Sequence, residues 1–173
     1  MTAKLKRGIT KVKDPGSALT HFIAMILAII AAIPLLSKAG HDSGHMHISA
    51  LAIFILSMIG LYAASTIYHT LDISPKINKL LRKIDHMMIF ILIAGTYTPV
   101  CMIVLGDKTG WTMLTLVWGI AIVGILINAL WITCPKWFSS LIYIAMGWVC
   151  ILAITKILSS MPRAGFMLSL IHI

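Results

Sequence analysis

The sequence predicts an all-α polytopic membrane protein, and three observations carry that reading. Hydrophobic residues make up 60% of the chain and charged residues 11%, with a mean hydropathy of +0.99, far above that of a water-soluble domain. The apolar residues gather into five stretches near the ~20 residues that a helix needs to cross about 30 Å of hydrocarbon. The 14 lysines and arginines fall unevenly between those stretches.

Taken in order, the predicted spans are 17–38, 49–69, 86–105, 111–130 and 138–160. The first follows Lys4, Lys6, Arg7, Lys11 and Lys13. That basic start resembles a signal peptide, but the apolar run is too long and four spans follow, so no cleavage is expected. The second ends in Ser65-Thr-Ile-Tyr-His69, and Pro75 interrupts the connection after it. Ile77, Leu80, Leu81 and Ile84 then recur at helical spacing among basic residues, which predicts an amphipathic segment lying on the inner leaflet. The third span holds Gly95-Thr-Tyr-Thr-Pro99, read as a kink in which Thr96 and Thr98 re-satisfy the Gly95 carbonyl freed by the proline. Trp111 and Trp137 fall at the starts of spans four and five, where indole rings favour the interface. No stretch alternates like a barrel strand.

Short loops rich in lysine and arginine stay in the cytoplasm. With the N-terminus inside, ten basic residues lie on the cytoplasmic side: the five before span one, then Lys76, Lys79, Arg82, Lys83 and Lys136. Lys38, Lys108, Lys156 and Arg163 lie opposite. The expected location is therefore a plasma membrane, with the basic surface facing anionic inner-leaflet lipid. The bias explains the net charge of +9 without nucleic acid as a partner.

This topology brings together polar groups at a depth where they are costly and tend to mark function. Ser65 and His69 are four apart and share a helix face. Asp85 and His86 begin span three at the same level, His21 lies near the start of span one, and Asn128 near the end of span four could join them. Each also has a plain structural reading. Asp85 would cap the third helix, Ser65 would be a small residue at a close helix contact, and the histidines would reach interfacial water. Of the five acidic residues, Asp14, Asp42, Asp72, Asp85 and Asp107, only Asp85 abuts the inner end of a span. Burying it ionised would need a cation, histidine or metal beside it.

The order Ser65-Thr-Ile-Tyr-His69, Leu81-Arg-Lys-Ile-Asp85-His86, Ala94-Gly-Thr-Tyr-Thr-Pro99, with Thr20-His21 before it, resembles the hemolysin III family, the bacterial branch of the progestin and adipoQ receptor superfamily. The likeness runs from about residue 14 to 167. It implies a seven-helix bundle in a bacterial inner membrane, of which five transmembrane helices are present here, with a cytoplasmic-side zinc site. The resemblance makes His69 a metal ligand, Asp85 the carboxylate that holds water at the metal, and Ser65 its neighbour. Three protein ligands and an open position suit hydrolysis. The two remaining ligands would come from an H-x-x-x-H pair on the last helix, and this sequence has none. His86 is a poor substitute, since it points about 100° from Asp85 on a helix.

The final residues Leu168-Ser-Leu-Ile-His-Ile173 translate, codon for codon, the transposon mosaic end CTGTCTCTTATACACATC used in preparing sequencing libraries. The reading is therefore a transmembrane domain over 1–167, cut short, followed by adapter sequence over 168–173, with the missing ligands expected beyond the cut.

Other features carry less. His41, Asp42, His45 and His47 share an external connection that needs polar residues in any case. Cys101, Cys134 and Cys150 have no metal-type spacing, and no structural disulfide is expected. Three function classes follow: a metal-dependent hydrolase of lipid amides or esters with Asp85, Ser65 and His69 at its site; a non-enzymatic regulator or receptor with a structural metal; and the pore-forming cytolysin of the family's name. A pore would need a repeated polar stripe, which the spans lack.

Overall fold

The computed structural model describes residues 12–42, 44–131 and 136–160, and the adapter-like ending 168–173 lies outside them. All regular structure among these residues is helical. Helix α1 spans Pro15–Asp42, α2 His45–Thr70, α3 Pro75–Pro99, α4 Lys108–Leu130, α5 Lys136–Trp148 and α6 Ile154–Ser160. A π-helical segment, Val100–Leu105, continues α3, and a 3-10 segment, Val149–Ala153, joins α5 to α6. Five stretches are long and apolar enough to cross a membrane: Pro15–Gly40, His45–Thr70, Pro75–Leu105, Lys108–Leu130 and Trp137–Ser159.

The predicted spans are all present, and the first four are longer than the hydropathy suggested. The largest difference is at α3. Ser74 caps it, its hydroxyl accepting from the Ile77 N–H at 3.3 Å, and Pro75 takes the first helical position. The helix then runs unbroken to Pro99. The segment expected to lie separately on the leaflet is thus the opening of span three, and Asp85 sits inside a helix rather than capping one. The stretch Pro75–Leu105 has 31 residues, about 46 Å of helix at 1.5 Å per residue. Counting about 30 Å of hydrocarbon back from Leu105 reaches the level of Asp85.

The histidine-rich connection is shorter than expected. His41 and Asp42 end α1, while His45 and His47 begin α2. His45 and His47 are two positions apart, so they point to different sides of the helix.

Neighbouring helices pack in chain order, and α3 also touches α5. In lipid, apolar faces gain nothing by meeting each other, so close packing through small residues holds helices together. Ala18, Ala28 and Ala39 are the buried residues of α1, while Leu19, Leu27, Ile30 and Ile33 face outward. At the α2–α3 contact an added Cβ on Gly95 would run into Ser57, and at α3–α4 one on Gly124 would meet the Phe90 ring. Phe90, Cys101, Val117 and Met146 are almost fully buried in the core between α3, α4 and α5.

The threonines around Pro99 bond to other carbonyls than the one expected. Thr98 donates to the Ala94 carbonyl and Thr96 to that of Ile93, rather than to Gly95. Thr98 also accepts from the Trp118 indole at 3.2 Å. The π-helical segment closes with the Gly106 N–H on the Cys101 carbonyl, and Gly106 has φ 57°, the left-handed conformation that favours glycine. Asp107 then caps α4 through the Gly110 N–H, and Lys156 ties its other oxygen to α6 at 2.7 Å.

Tyr97 explains the break in span five. In a continuous helix the Cys150 N–H would bond to the Met146 carbonyl. Here the Tyr97 hydroxyl stands between them: it accepts from Cys150 N at 3.0 Å and donates towards the carbonyls of Met146 (2.8 Å) and Gly147 (2.9 Å). A side chain inserted into the backbone ladder is a recognised cause of a helix irregularity.

Candidate functional site

The site is built at one end of the first three helices. His21 lies in the second turn of α1, Ser65 and His69 near the end of α2, and Asp85 three turns into α3, so alternating chain direction brings all four to one level. It is the end that carries Lys76, Lys79, Arg82 and Lys83.

Ser65 is 3% exposed, and its Oγ is 2.5 Å from His21 Nδ1. Serine has one proton to give, so which of the two donates follows from the tautomer of His21. Asp85 of α3 lies near enough for the Ser65 hydroxyl and the His69 ring to act on its carboxylate. The His21–Ser65 bond joins α1 to α2, and the Asp85 carboxylate faces it from α3.

His69 is held from a different quarter. Its Nδ1 is 3.2 Å from Asp14 Oδ2, and its ring meets that of His21 edge-on with centroids 5.6 Å apart. Asp14 reaches it because the segment before α1 folds back along the end of α2. The Asp14 N–H donates to the His69 carbonyl at 2.9 Å, the Lys13 N–H to that of Thr70 at 3.4 Å, and the Lys13 ammonium sits 3.5 Å from the Tyr68 ring centroid. These N–H groups satisfy carbonyls that the end of α2 leaves unpaired. The Ser17 hydroxyl, 2.7 Å from Asp14 Oδ2, is the main influence holding the Asp14 carboxyl below the ordinary carboxylate range, with His69 adding to it.

The structure places His21 against both Ser65 and His69, with Asp85 at the same end of the bundle. His86 is beside them, with Nδ1 3.6 Å from Asp85 Oδ2. That is too long for a hydrogen bond, and this nitrogen is buried without a hydrogen-bond partner. Of the neighbours expected beside Asp85, a histidine is there, whereas Lys83 instead reaches the Ala129 carbonyl at the end of α4. Asn128 belongs elsewhere: its amide donates to the Gly124 carbonyl and accepts from Ser139, joining α4 to α5. Sequence reasoning missed Asp14. The available signal was an aspartate before a helix-starting proline, with Ser17 three residues on.

The donor chemistry fits a metal in part. A histidine whose Nδ1 is engaged by a carboxylate presents Nε2, which is the common arrangement of a ligating imidazole. Among the described residues, however, no group of three or more His, Cys, Asp or Glu closes on one point. They offer a share of a metal site rather than a whole one.

The family model described as Haemolysin-III related matches residues 9–173. The chain belongs to the hemolysin III family. It is 38% identical over 171 residues to Hemolysin-3 of Bacillus cereus, covering 98% of this chain and 78% of that protein. It is 36% identical over 156 residues to a Hemolysin-3 homolog of Bacillus subtilis strain 168, covering 90% and 73%. No solved structure matches it. As a hemolysin III protein it is a multi-pass membrane protein, and its apolar helices place it in a lipid bilayer.

Proposed function

We propose that the polar end of this bundle is part of a zinc-dependent hydrolytic site for lipid amides or esters, on the cytoplasmic face of a bacterial inner membrane. The observation that carries the reading is the bond between His21 and the buried Ser65, with Asp85 near them, beside a His69 whose Nδ1 is engaged by Asp14. Zinc would supply Lewis-acid polarisation of the carbonyl and activation of water. His69 would bind it through Nε2, with the further ligands coming from outside the described residues. Asp85, at the hydrocarbon edge, would orient water and take its proton. Ser65, held by His21, would stand near the reacting carbonyl. The exposed Ile77, Leu80 and Ile84 on the opening turns of α3 would lie against acyl chains, with the lysines between them towards anionic headgroups.

A regulator with a structural metal is the second reading, favoured by the incomplete donor set among the described residues. Asp85→Asn separates the two. In the complete protein, carrying the further ligands, purified into liposomes containing fluorogenic lipid amides and esters, hydrolysis predicts that the variant keeps its zinc content and loses turnover. Equal, zinc-independent behaviour of both proteins on every substrate sinks the hydrolase reading. The relatives' name states a third activity, and release of trapped dye from the same liposomes would support pore formation instead.

A further inference from the structure

We infer that Asp14 is a positioning residue for His69: the chain before the first span folds back over the end of the second and fixes the orientation and tautomer of that imidazole. The inference uses the proposed zinc reading only to say what the ring is held for.

Asp14 is bound to the same residue twice, by its N–H on the His69 carbonyl at 2.9 Å and by its carboxylate on the His69 ring at 3.2 Å. A residue serving only to start α1 would need neither contact. Its helix-starting role is present as well, since its carbonyl accepts from Ala18 N and its carboxylate from Ser17 Oγ. Those bonds anchor Asp14 to α1 while its other contacts grip α2. Tyr68 and His21 close on the remaining sides of the ring, with centroids 4.8 Å and 5.6 Å from it.

The chemical consequence concerns where a neutral imidazole keeps its one proton. A carboxylate can only accept, so Asp14 draws the proton to Nδ1 and leaves the Nε2 lone pair free. Partners of this kind fix the ring orientation and raise the basicity of a metal ligand. The strap thus makes residues before the membrane part of the site.

Nitrogen-15 NMR of histidine-labelled full chain in liposomes, at a pH where imidazoles are neutral, reads the tautomer directly, with His69→Gln to assign the signal. The expected result is protonated Nδ1 and bare Nε2 in the parent. Asp14→Ala should move the proton towards Nε2. Asp14→Asn should restore the parent pattern, because an amide oxygen still accepts, while unchanged signals from the other histidines show that the fold is intact. A parent with the proton on Nε2, or an Asp14→Ala signal identical to the parent, overturns the inference. Zinc titration of the same samples separates this from the zinc reading. Where zinc binds, Asp14→Ala should weaken it by about 10- to 100-fold. A tautomer change in a complete protein, with both further ligands present, that binds no zinc upholds the positioning role and removes the zinc reading, whereas unchanged zinc affinity with an unchanged tautomer does the reverse.

Discussion

Replacing Tyr97 by Phe removes one oxygen and leaves the ring in place, so its effect isolates the hydroxyl inserted into span five. That hydroxyl accepts one bond, from Cys150 N, and gives one proton shared between the Met146 and Gly147 carbonyls. At about 0.5–1.5 kcal/mol net for each bond made, losing both costs about 1–3 kcal/mol. The freed Cys150 N–H and Met146 carbonyl are, however, partners in an ordinary helix. With the oxygen gone they can meet, and the regained bond returns about 0.5–1.5 kcal/mol. The expected net loss is about 1 kcal/mol, with the 3-10 segment relaxing towards a regular helix. Reversible unfolding of the purified protein in mixed micelles measures the energy, and spin labels at either end of span five measure the straightening. Unchanged stability with an unchanged label distance would refute the insertion argument. A loss above about 3 kcal/mol would show that the ladder fails to close and leaves an orphaned N–H.

Gly95→Ala should destabilise the α2–α3 contact by about 1–3 kcal/mol, since its Cβ would press on Ser57. Adding Ser57→Gly should recover most of that loss in the same unfolding assay, and full additivity of the two changes would argue against the contact. Asp107→Asn keeps a cap for Gly110 but removes the charge paired with Lys156, the main cause of the lowered Asp107 pKa. Because the folded pKa is lowered, the contribution of Asp107 is complete above the unfolded value near 3.9 and is lost as pH falls through the lower folded value. The melting difference between parent and variant should therefore hold from neutral pH to about 5 and vanish in stronger acid. Added salt should also shrink it.

Much of this architecture was legible in the sequence because lipid enforces a simple rule, that a span must be apolar for its full length. The rule fails where a helix leaves the hydrocarbon. Lys76 to Asp85 lower the local hydropathy, so a continuous α3 reads as two pieces, although Ile77, Leu80, Leu81 and Ile84 already showed helical spacing. Within the site, Ser65 and His69 declare themselves by their spacing, and their meeting with Asp85 and His21 follows from topology alone. Asp14 and Tyr97 act through contacts across 55 and about 50 positions of the chain, and nothing in local periodicity encodes a side chain that reaches another helix's backbone. Asn128 shared the right depth with the cluster but turned to Ser139 on the adjoining helix, a choice of azimuth that depth cannot decide.

The polar cluster and its strap draw on Asp14, His21, Ser65, His69 and Asp85, all among the first 85 residues. During synthesis these groups can therefore meet as soon as the third helix has entered the bilayer, before the fourth and fifth have been made. Tyr143, whose hydroxyl donates to the His86 carbonyl at 2.8 Å, then docks on an end already assembled. The early helices thus carry the polar groups, and the later ones add an apolar packing surface against them.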